Sequence, residues 1–263
     1  MADVIVAAAT DCGRKRQDNQ DYHAFFPPGE GRRNHRGTLM VLADGMGGHR
    51  GGATASQTAV TAVMENYYRQ ATGSIAEALE QSFQVANTAV FEKSQADAQL
   101  AGMGCTLTAA VFNRGWMHWA HVGDSRGYWI HDRTITQFTE DHSFVANLVR
   151  AGAISAEDAA QRTDHNVLTR AVGIGAELKV DHNPKPVLLK KGDYVLLCCD
   201  GLWGVVSTSE IFDTIATCQH PQAICNRLVE LANAAGGPDN ITVMVAAVAK
   251  THWLAGLVSP FMR

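Results

Sequence analysis

The sequence predicts an α+β protein in which antiparallel sheets pack together and helices come in pairs. Three observations favour this fold class. Apolar runs of strand length dominate the chain, pairs of helical patterns separate groups of these runs, and short turn-like segments join several neighbouring runs. A βαβ repeat would instead alternate single strands with single helices. We therefore expect antiparallel sheets covered by helix pairs rather than a parallel sheet.

The first half of the chain predicts three strands and one pair of helices. Apolar runs predict strands over residues 4–9, 21–26 and 38–43. Apolar residues at helical spacing predict helices over residues 53–70 and 75–95, and the Gly-Ser pair between them carries the usual stop and cap signals. A segment rich in proline, glycine and arginine follows the second strand and predicts a basic loop.

The second half predicts a meander of strands, a helical insert and a second pair of helices. Residues 105–138 contain four short strand patterns joined by turn residues, which favours antiparallel pairing. Residues 142–180 predict a small helical insert. A buried strand over residues 194–199 follows, and then two helices over 208–218 and 221–235. The last predicted strand covers residues 241–249 and is almost wholly apolar.

The composition is that of a globular protein of one or two domains. The chain has 263 residues, of which 46% are apolar and 18% are charged, and a core of this size needs no disulfide or metal ion in order to fold. The formal net charge of −4 argues against nucleic-acid binding through a broad basic surface. No apolar run is long enough to span a membrane. The first ten residues carry no basic side chain of the kind that opens a secretory signal.

The six cysteines indicate a reducing compartment. None shows the Cys-x-x-Cys spacing of a redox or metal motif, and two adjacent cysteines fall within an apolar run. We interpret them as free thiols and expect a cytoplasmic protein. They are Cys12, Cys105, Cys198, Cys199, Cys218 and Cys225.

Aspartates recur at the ends of the predicted strands. Asp44 and Asp200 each follow an apolar strand and precede a glycine, and Asp124 lies just beyond another strand. Asp21 opens a strand, and Asp239 stands two residues before the last one. If these strands share sheets, the five carboxylates collect at one edge, where like charges repel. A divalent cation with hard oxygen ligands, Mg²⁺ or Mn²⁺, would offset that repulsion, whereas the alternative is that each aspartate only starts a turn or caps a helix.

An arginine stands close to the first of these aspartates. Arg16 precedes Asp21 by five residues. A guanidinium beside a metal ligand can hold a phosphate through two parallel hydrogen bonds. The alternative interpretation is a solvated charge in a loop.

These residues belong to seven short segments that together resemble one protein family. The chain is similar to the metal-dependent serine/threonine protein phosphatases of the 2C type, the PPM family, in their compact bacterial form. The resemblance covers about residues 4–249. Any one segment is a weak signal, whereas seven in the order of the family are specific. The segments are RQDNQD at 16–21, VLADGMGGH at 41–49, GDSR at 123–126, TEDHS at 139–143, LTRAVG at 168–173, CDGLW at 199–203 and DNIT at 239–242.

The resemblance implies a particular architecture. It implies a four-layer α-β-β-α sandwich of two antiparallel sheets flanked by helix pairs, with a metal site at one edge. A single phosphatase domain would cover residues 1–249, and residues 142–180 would form a flap beside the active site. Residues 250–263 would then be a C-terminal tail.

The resemblance also implies roles for individual residues. Two Mn²⁺ or Mg²⁺ ions would occupy the core site, and a third would bind more weakly through Asp124 together with Asp200. Arg16 would bind the substrate phosphate and would count with Asp44 and Asp200 as catalytic. The ligands of the two core ions would be the side chains of Asp21, Asp44, Asp200 and Asp239 and the carbonyl of Gly45.

The implied reaction is hydrolysis of phosphoserine and phosphothreonine monoesters by water that two metal ions activate. Many bacterial relatives oppose a serine/threonine kinase, so such a kinase or its substrates are the expected partners, and we expect a monomer. Two positions depart from the family pattern. Gln20 stands where many members have glutamate, and Met46 stands where some eukaryotic members have a histidine proposed as the general acid. Water at the metal centre or His49 would then supply the proton to the leaving group.

Two other functions stay open from the sequence alone. A catalytically silent relative would bind phosphoproteins without hydrolysing them, although the presence of Asp44, Asp200 and Asp239 argues against this. A metal-dependent hydrolase of small phosphate esters would keep the same carboxylates, and only substrate profiling separates it from a protein phosphatase.

Overall fold

Two antiparallel sheets lie back to back at the centre of the protein. The computed structural model describes residues 4–26, 36–70, 73–160, 162, 164 and 167–249. The predicted basic loop lies mostly outside these residues, as does the tail over 250–263. The strands are β1 (Val4–Asp11), β2 (Tyr22–Phe26), β3 (Thr38–Ala43), β4 (Gly45–Met46), β5 (Gly104–Cys105), β6 (Leu107–Asn113), β7 (Trp116–Val122), β8 (Arg126–His131), β9 (Thr134–Gln137), β10 (Asp181–His182), β11 (Val187–Leu188), β12 (Tyr194–Cys198) and β13 (Ile241–Val248).

Every strand pairing within the described residues is antiparallel. The first sheet has the order β1-β13-β12-β8-β9, and the second has the order β10-β7-β6-β3-β2, with β11 also paired to β7. A third, two-stranded ladder joins β4 to β5. The helices are α1 (Gly48–Arg69), α2 (Ile75–Ala96), α3 (Phe144–Arg150), α4 (Ala156–Ala160), α5 (Asp200–Trp203), α6 (Thr208–Cys218) and α7 (Pro221–Ala234).

The central strands are mostly apolar, and both of their faces are buried. In β3, the side chains of Leu39 and Val41 pack with helices α1 and α2, while Leu42 lies between the two sheets. In β12, Leu196 packs with helices α6 and α7, while Leu197 lies between the sheets. The three apolar clusters therefore separate four layers of secondary structure, and the α-β-β-α sandwich is confirmed.

Most predicted elements agree with the structure to within one or two residues. The largest difference is the start of α1, which begins at Gly48 instead of residue 53. The added turn holds Gly51 and Gly52 and has no apolar periodicity. Here glycine is required by space, because a Cβ on Gly52 would lie 2.8 Å from the carbonyl oxygen of Gly45 and 2.6 Å from Oε1 of Gln20. The close approach brings the beginning of α1 against the segment that carries Asp44.

The predictions for the cysteines and for the helical insert also agree with the structure. All six cysteines are free thiols. Within the part of the chain that the structure describes, no helix has both the length and the apolar character needed to cross a membrane. The insert over residues 142–180 contains the two short helices α3 and α4, as its polar and helical pattern predicts.

The contact between the sheets should dominate stability. We expect Leu197→Ala to lower the free energy of unfolding by about 2–5 kcal/mol, because Leu197 is fully buried between the sheets and its truncation leaves a cavity. Leu188→Ala is the matched control, since Leu188 is 54% exposed and its truncation should cost less than about 0.5 kcal/mol. Urea unfolding measures both. Equal losses for the two variants would contradict this account of the core.

Candidate metal centre

The structure brings the aspartates predicted at strand ends to one edge of the sandwich. Asp44 follows β3, Asp200 opens α5 directly after β12, and Asp239 lies two residues before β13. These three residues and Asp124 line a single cleft with a volume of about 330 Å³. Asp21 lies beneath it, at the start of β2, and is nine-tenths buried. The other residues of the cleft wall are Arg16, Gln17, Asp18, Gln20, Gly45, Met46, Gly47, Thr106, Leu168 and Asn240.

The tightest group of potential ligands includes a residue that the sequence interpretation did not place in the site. One carboxylate oxygen of Asp21, one of Asp44 and the Sγ atom of Cys199 all lie within 4.8 Å of one another. The Cys199 thiol is buried, donates to the carbonyl oxygen of Asn240 at 3.3 Å and accepts the Thr242 N–H at 3.0 Å. The apolar run that precedes Asp200 indicates that Cys199 is buried, but gives no signal that its thiol faces the carboxylates.

Burial and mutual repulsion make these carboxylates hard to ionise without a cation. Burial raises the pKa of Asp21 to about 7, and the carboxylates of Asp200 and Asp239 act in the same direction. Burial and the same kind of repulsion raise the pKa of Asp44 well above its usual range. The pKa of Asp200 is also raised, and burial brings that of Asp124 to about 8. The common direction of these shifts shows that burial and neighbouring carboxylates disfavour negative charge at this site.

Two of the carboxylate oxygens have no hydrogen-bond partner. Oδ1 of Asp21 and Oδ1 of Asp200 are buried and unpartnered among the described residues. Buried polar atoms in folded proteins are nearly always satisfied, so unpaired oxygens at one site call for an explanation. Hard divalent cations take carboxylate oxygens as ligands. The donor set therefore fits Mg²⁺ or Mn²⁺.

A chain of hydrogen bonds orients Asp21 from below. The Thr242 hydroxyl donates to Oδ2 of Asp21 at 2.6 Å, and because that proton is used, the Thr10 hydroxyl must donate to Thr242 at 2.7 Å. Thr10 in turn accepts from the side-chain amide of Asn19 at 2.8 Å. Thr10 and Thr242 face each other across β1 and β13. The first sheet thus holds a carboxylate that belongs to the second.

The segments that carry Asp44 and Asp124 are joined through hydroxyl groups. The N–H of Asp44 donates to Oγ1 of Thr106 at 2.9 Å, and the N–H of Thr106 donates to the Asp44 carbonyl at 2.8 Å. Oγ1 of Thr106 also contacts Oγ of Ser125 at 2.7 Å. Because Ser125 follows Asp124 directly, the two aspartates are fixed relative to each other by buried contacts.

An aromatic side chain holds the backbone of Asp124. The indole N–H of Trp203 donates to the Asp124 carbonyl at 3.0 Å. The Arg126 guanidinium lies over the Trp203 ring, 3.7 Å from its centroid, and makes a 2.7 Å ion pair with Asp141. Tryptophan and arginine pair favourably in this way because the ring face is electron-rich. Trp203 lies within the CDGLW segment, although the segment itself does not indicate this contact.

Arg16 lies at the mouth of the cleft. Its side chain is 54% exposed, and Nη2 donates to Oδ2 of Asp239 at 2.8 Å. The other oxygen of Asp239 accepts the N–H of Asn240 at 2.8 Å. The guanidinium has five N–H donors, so this single bond leaves most of its donors available. The predicted phosphate-binding arginine is therefore next to the predicted metal ligands.

The positions that depart from the family pattern also lie here. Gln20 and Met46 both line the cleft. The backbone carbonyl of Gln20 accepts from the Ser56 hydroxyl at 2.6 Å, which ties this residue to α1. His49 lies in the first turn of α1, and its side chain is outside the described residues. A Cβ on Gly45 would lie 2.1 Å from the carbonyl oxygen of Gly52, so only glycine fits at that position.

Comparison with known proteins gives a consistent result. Residues 10–231 match the family described as Protein phosphatase 2C. The chain is 36% identical over 240 residues to a Serine/threonine phosphatase stp of Listeria welshimeri, covering 90% of this chain and 92% of that protein. It is 37% identical over 247 residues to Protein phosphatase PhpP of Streptococcus pneumoniae, covering 92% and 97%.

Solved structures of serine/threonine phosphatases have a fold similar to that of this chain. The Mycobacterium tuberculosis serine/threonine phosphatase PstP/Ppp superposes with a TM-score of 0.82 at 33% identity, covering 94% of this chain and 99% of that one. A catalytic domain of serine/threonine phosphatase PstP in complex with two manganese ions superposes with a TM-score of 0.79 at 35% identity, again covering 94% and 99%.

Removing the hydrogen bond beneath Asp21 should weaken ion binding. We expect Thr242→Val to lower Mn²⁺ affinity about 10–100-fold, the usual effect of losing a group that orients a metal ligand. Thr214→Val is the matched control, because Thr214 is also buried but bonds only to Glu210 of its own helix. Titration calorimetry measures both affinities. An unchanged Mn²⁺ affinity for Thr242→Val would contradict the proposed orientation of Asp21.

Divalent ions should stabilise the fold. At an Mn²⁺ concentration of about one hundred times the dissociation constant, the free energy of unfolding should rise by about 2.7 kcal/mol. For a chain of this size, that corresponds to a rise of about 5–10 °C in the unfolding midpoint. EDTA should remove the ions and return the unfolding midpoint to its value without Mn²⁺.

The control for that measurement is Asp44→Asn, which removes one of the repelling charges. This variant should be at least as stable as the wild type without ions, and should lose the rise on adding Mn²⁺. Calorimetric melting tests both chains. A wild-type midpoint that does not respond to Mn²⁺ would contradict the assignment of the site.

Proposed function

The chain belongs to the protein phosphatase 2C family and is a metal-dependent serine/threonine protein phosphatase, and we propose that the buried carboxylates of its cleft hold the two metal ions. The observation that carries this assignment is the pair of buried, unpartnered oxygens on Asp21 and Asp200. The proposed ligands are the side chains of Asp21, Asp44, Asp200 and Asp239 and the carbonyl of Gly45.

The cofactor is Mn²⁺ or Mg²⁺ in a site for two ions, as in the manganese complex of the PstP catalytic domain. When bound, the ions activate a water molecule for attack on phosphorus and offset the charge that develops on the phosphoryl oxygens. The role of the protein is to hold the carboxylates aligned and close together. Thr242 orients Asp21, and the pair of hydrogen bonds between Asp44 and Thr106 fixes the backbone at Asp44.

We assign the substrate phosphate to Arg16. The guanidinium stands at the mouth of the cleft and is held there by Asp239. Its remaining N–H groups can bind two phosphoryl oxygens at once, which positions the phosphorus over the carboxylate cluster. We assign a third, weaker ion to Asp124 together with Asp200, because Asp124 is buried, lines the same cleft and is close enough to Asp200 for the two carboxylates to repel.

The leaving alkoxide must receive a proton, and Met46 has none to donate. Water in the cleft is the proposed donor, and His49 is the alternative, as it lies in the helix turn that follows Met46. A pH profile of kcat that is unchanged in His49→Ala would assign the donor to water. Met46 then contributes only an apolar surface beside the reacting groups.

The proposed substrates are proteins phosphorylated on serine or threonine, and the proposed partners are a bacterial serine/threonine kinase and the proteins that it phosphorylates. The relatives named above come from bacteria and carry the name of serine/threonine or protein phosphatases. A cytoplasmic monomer is proposed, and the free thiols support a reducing compartment. We propose one catalytic domain over residues 1–249, with residues 142–180 as the flap.

Hydrolysis of a phosphothreonine peptide tests these assignments. With Mn²⁺ or Mg²⁺ the wild type should release phosphate, and EDTA should stop it. Asp200→Asn should lower kcat/KM by a factor of about 1,000 or more, because the variant would lose a charged ligand that the core site is proposed to share with the weaker third site. Asp213→Asn, on the exposed face of α6, is the matched control and should keep full activity. Undiminished turnover by Asp200→Asn would remove this residue from the site. A folded wild type with no turnover in any metal would instead favour the phosphoprotein-binding alternative.

A further inference from the structure

We propose that an apolar rim on the cleft, formed by Met46, Leu168 and Ile174, selects phosphoproteins with a bulky apolar residue within two positions of the phosphorylated serine or threonine. The inference rests on the proposed function, since the rim borders the same cleft. It adds a preference in the substrate sequence that the metal ligands and Arg16 cannot supply, because they contact only the phosphate.

The rim is continuous with the reaction site. Met46 and Leu168 line the cleft that also contains Arg16 and the carboxylates. Met46 extends the surface to Ile174 across a glycine: a Cβ on Gly104 would lie 2.8 Å from Cε of Met46 and 2.9 Å from Cδ1 of Ile174. The absence of a side chain at Gly104 therefore lets the two apolar side chains approach each other.

Ile174 is exposed and yet firmly held. Its side chain is 53% exposed. The residues on either side of it are both bound by Asn87 of α2, a side chain that is 1% exposed. The N–H of Gly173 donates to Oδ1 of Asn87 at 2.8 Å, and Nδ2 of Asn87 donates to the carbonyl of Gly175 at 2.8 Å. These buried hydrogen bonds fix the backbone on both sides of Ile174, which presents its apolar side chain to solvent.

The rest of the segment is fixed in the same manner. Val172 is fully buried and exchanges two backbone hydrogen bonds with Cys105, at 3.1 and 2.9 Å. Leu168 pairs with Ser143, and the N–H of Thr169 donates to the carbonyl of His142 at 2.8 Å. The three rim side chains are thus presented by ordered backbone, so a peptide that contacts them orders little of the enzyme.

The chemistry of the rim decides which residue it favours. All three side chains are apolar and carry no charge or hydrogen-bond donor. An extended peptide advances about 3.3 Å per residue, so a side chain one or two positions from the phosphorylated residue is about 3–7 Å along the chain from it. A leucine there would bury apolar surface against the rim, whereas a glutamate would lose hydration without gaining a partner.

Isolated apolar residues are common on protein surfaces and need have no function. The experiment therefore tests whether the rim selects among substrates. The test uses phosphothreonine peptides that carry Leu, Ala, Ser or Glu at each of the two positions before and after the phosphothreonine. The rate of hydrolysis of each peptide is measured for the wild type, for Ile174→Ser and for Leu188→Ser. Leu188 is the matched control, because it is 54% exposed and pairs with Trp116, at the opposite end of β7 from Asp124. The quantity compared is the ratio of kcat/KM for the Leu and Ser peptides within one enzyme, which cancels any change in overall activity.

We expect the wild type to prefer Leu over Ser about tenfold at one or more positions, a typical discrimination for one apolar contact. Ile174→Ser should reduce that ratio to about twofold, and Leu188→Ser should keep it. A wild-type ratio near one, or an undiminished ratio in Ile174→Ser, overturns the inference.

Metal-dependent hydrolysis of p-nitrophenyl phosphate, which has no flanking residues, reports the proposed function separately. If the wild type hydrolyses this ester but shows no preference among peptides, only the rim is overturned, and if it hydrolyses neither, both are.

Discussion

The burial of like charges at one edge of the sandwich is the constraint on which the other features of this protein depend. Asp21, Asp44, Asp200 and Asp124 come from different parts of the chain, and each has a pKa raised by burial and by neighbouring carboxylates. A fold that gathers these groups without a counter-charge works against its own stability. The two unpartnered oxygens lie where we propose that divalent cations bind. The function thus follows from an electrostatic deficit that a pair of divalent ions corrects.

The two sheets share the task of holding this edge in place. Asp21 precedes a strand of the second sheet, but its hydrogen bond comes from Thr242 of the first. Asp44 follows a strand of the second sheet, while Asp200 follows one of the first. Close packing between the sheets therefore sets the separation of the candidate ligands, and a shift of either sheet would move one half of the site relative to the other. The apolar core therefore helps to position the candidate metal site.

The sequence predicted the fold class, nearly all of the long elements and the residues that collect in the cleft. These predictions succeed because they rest on local signals, namely the Asp-Gly pairs at the ends of strands, the helical periodicity and the seven ordered segments. The Cys199 thiol, the Thr10–Thr242 hydrogen bond and the Trp203 contact with Asp124 were missed, since each depends on which strand becomes the neighbour of which. The early start of α1 was missed for another reason: its glycines are chosen by close packing against Gly45 and Gln20, which no helical period reveals.

The ion pair between Arg16 and Asp239 has a consequence for association with substrate. Both groups are partly exposed, and an exposed pair of this kind contributes on the order of 0–1 kcal/mol. The bond therefore adds little to stability, but it favours one set of rotamers for the arginine and occupies only one of its N–H donors. A free arginine on a surface would lose considerable side-chain entropy when it binds a ligand. Here the guanidinium is already restrained by Asp239, so in the proposed role its remaining N–H groups can meet a phosphorylated residue without first ordering a mobile side chain.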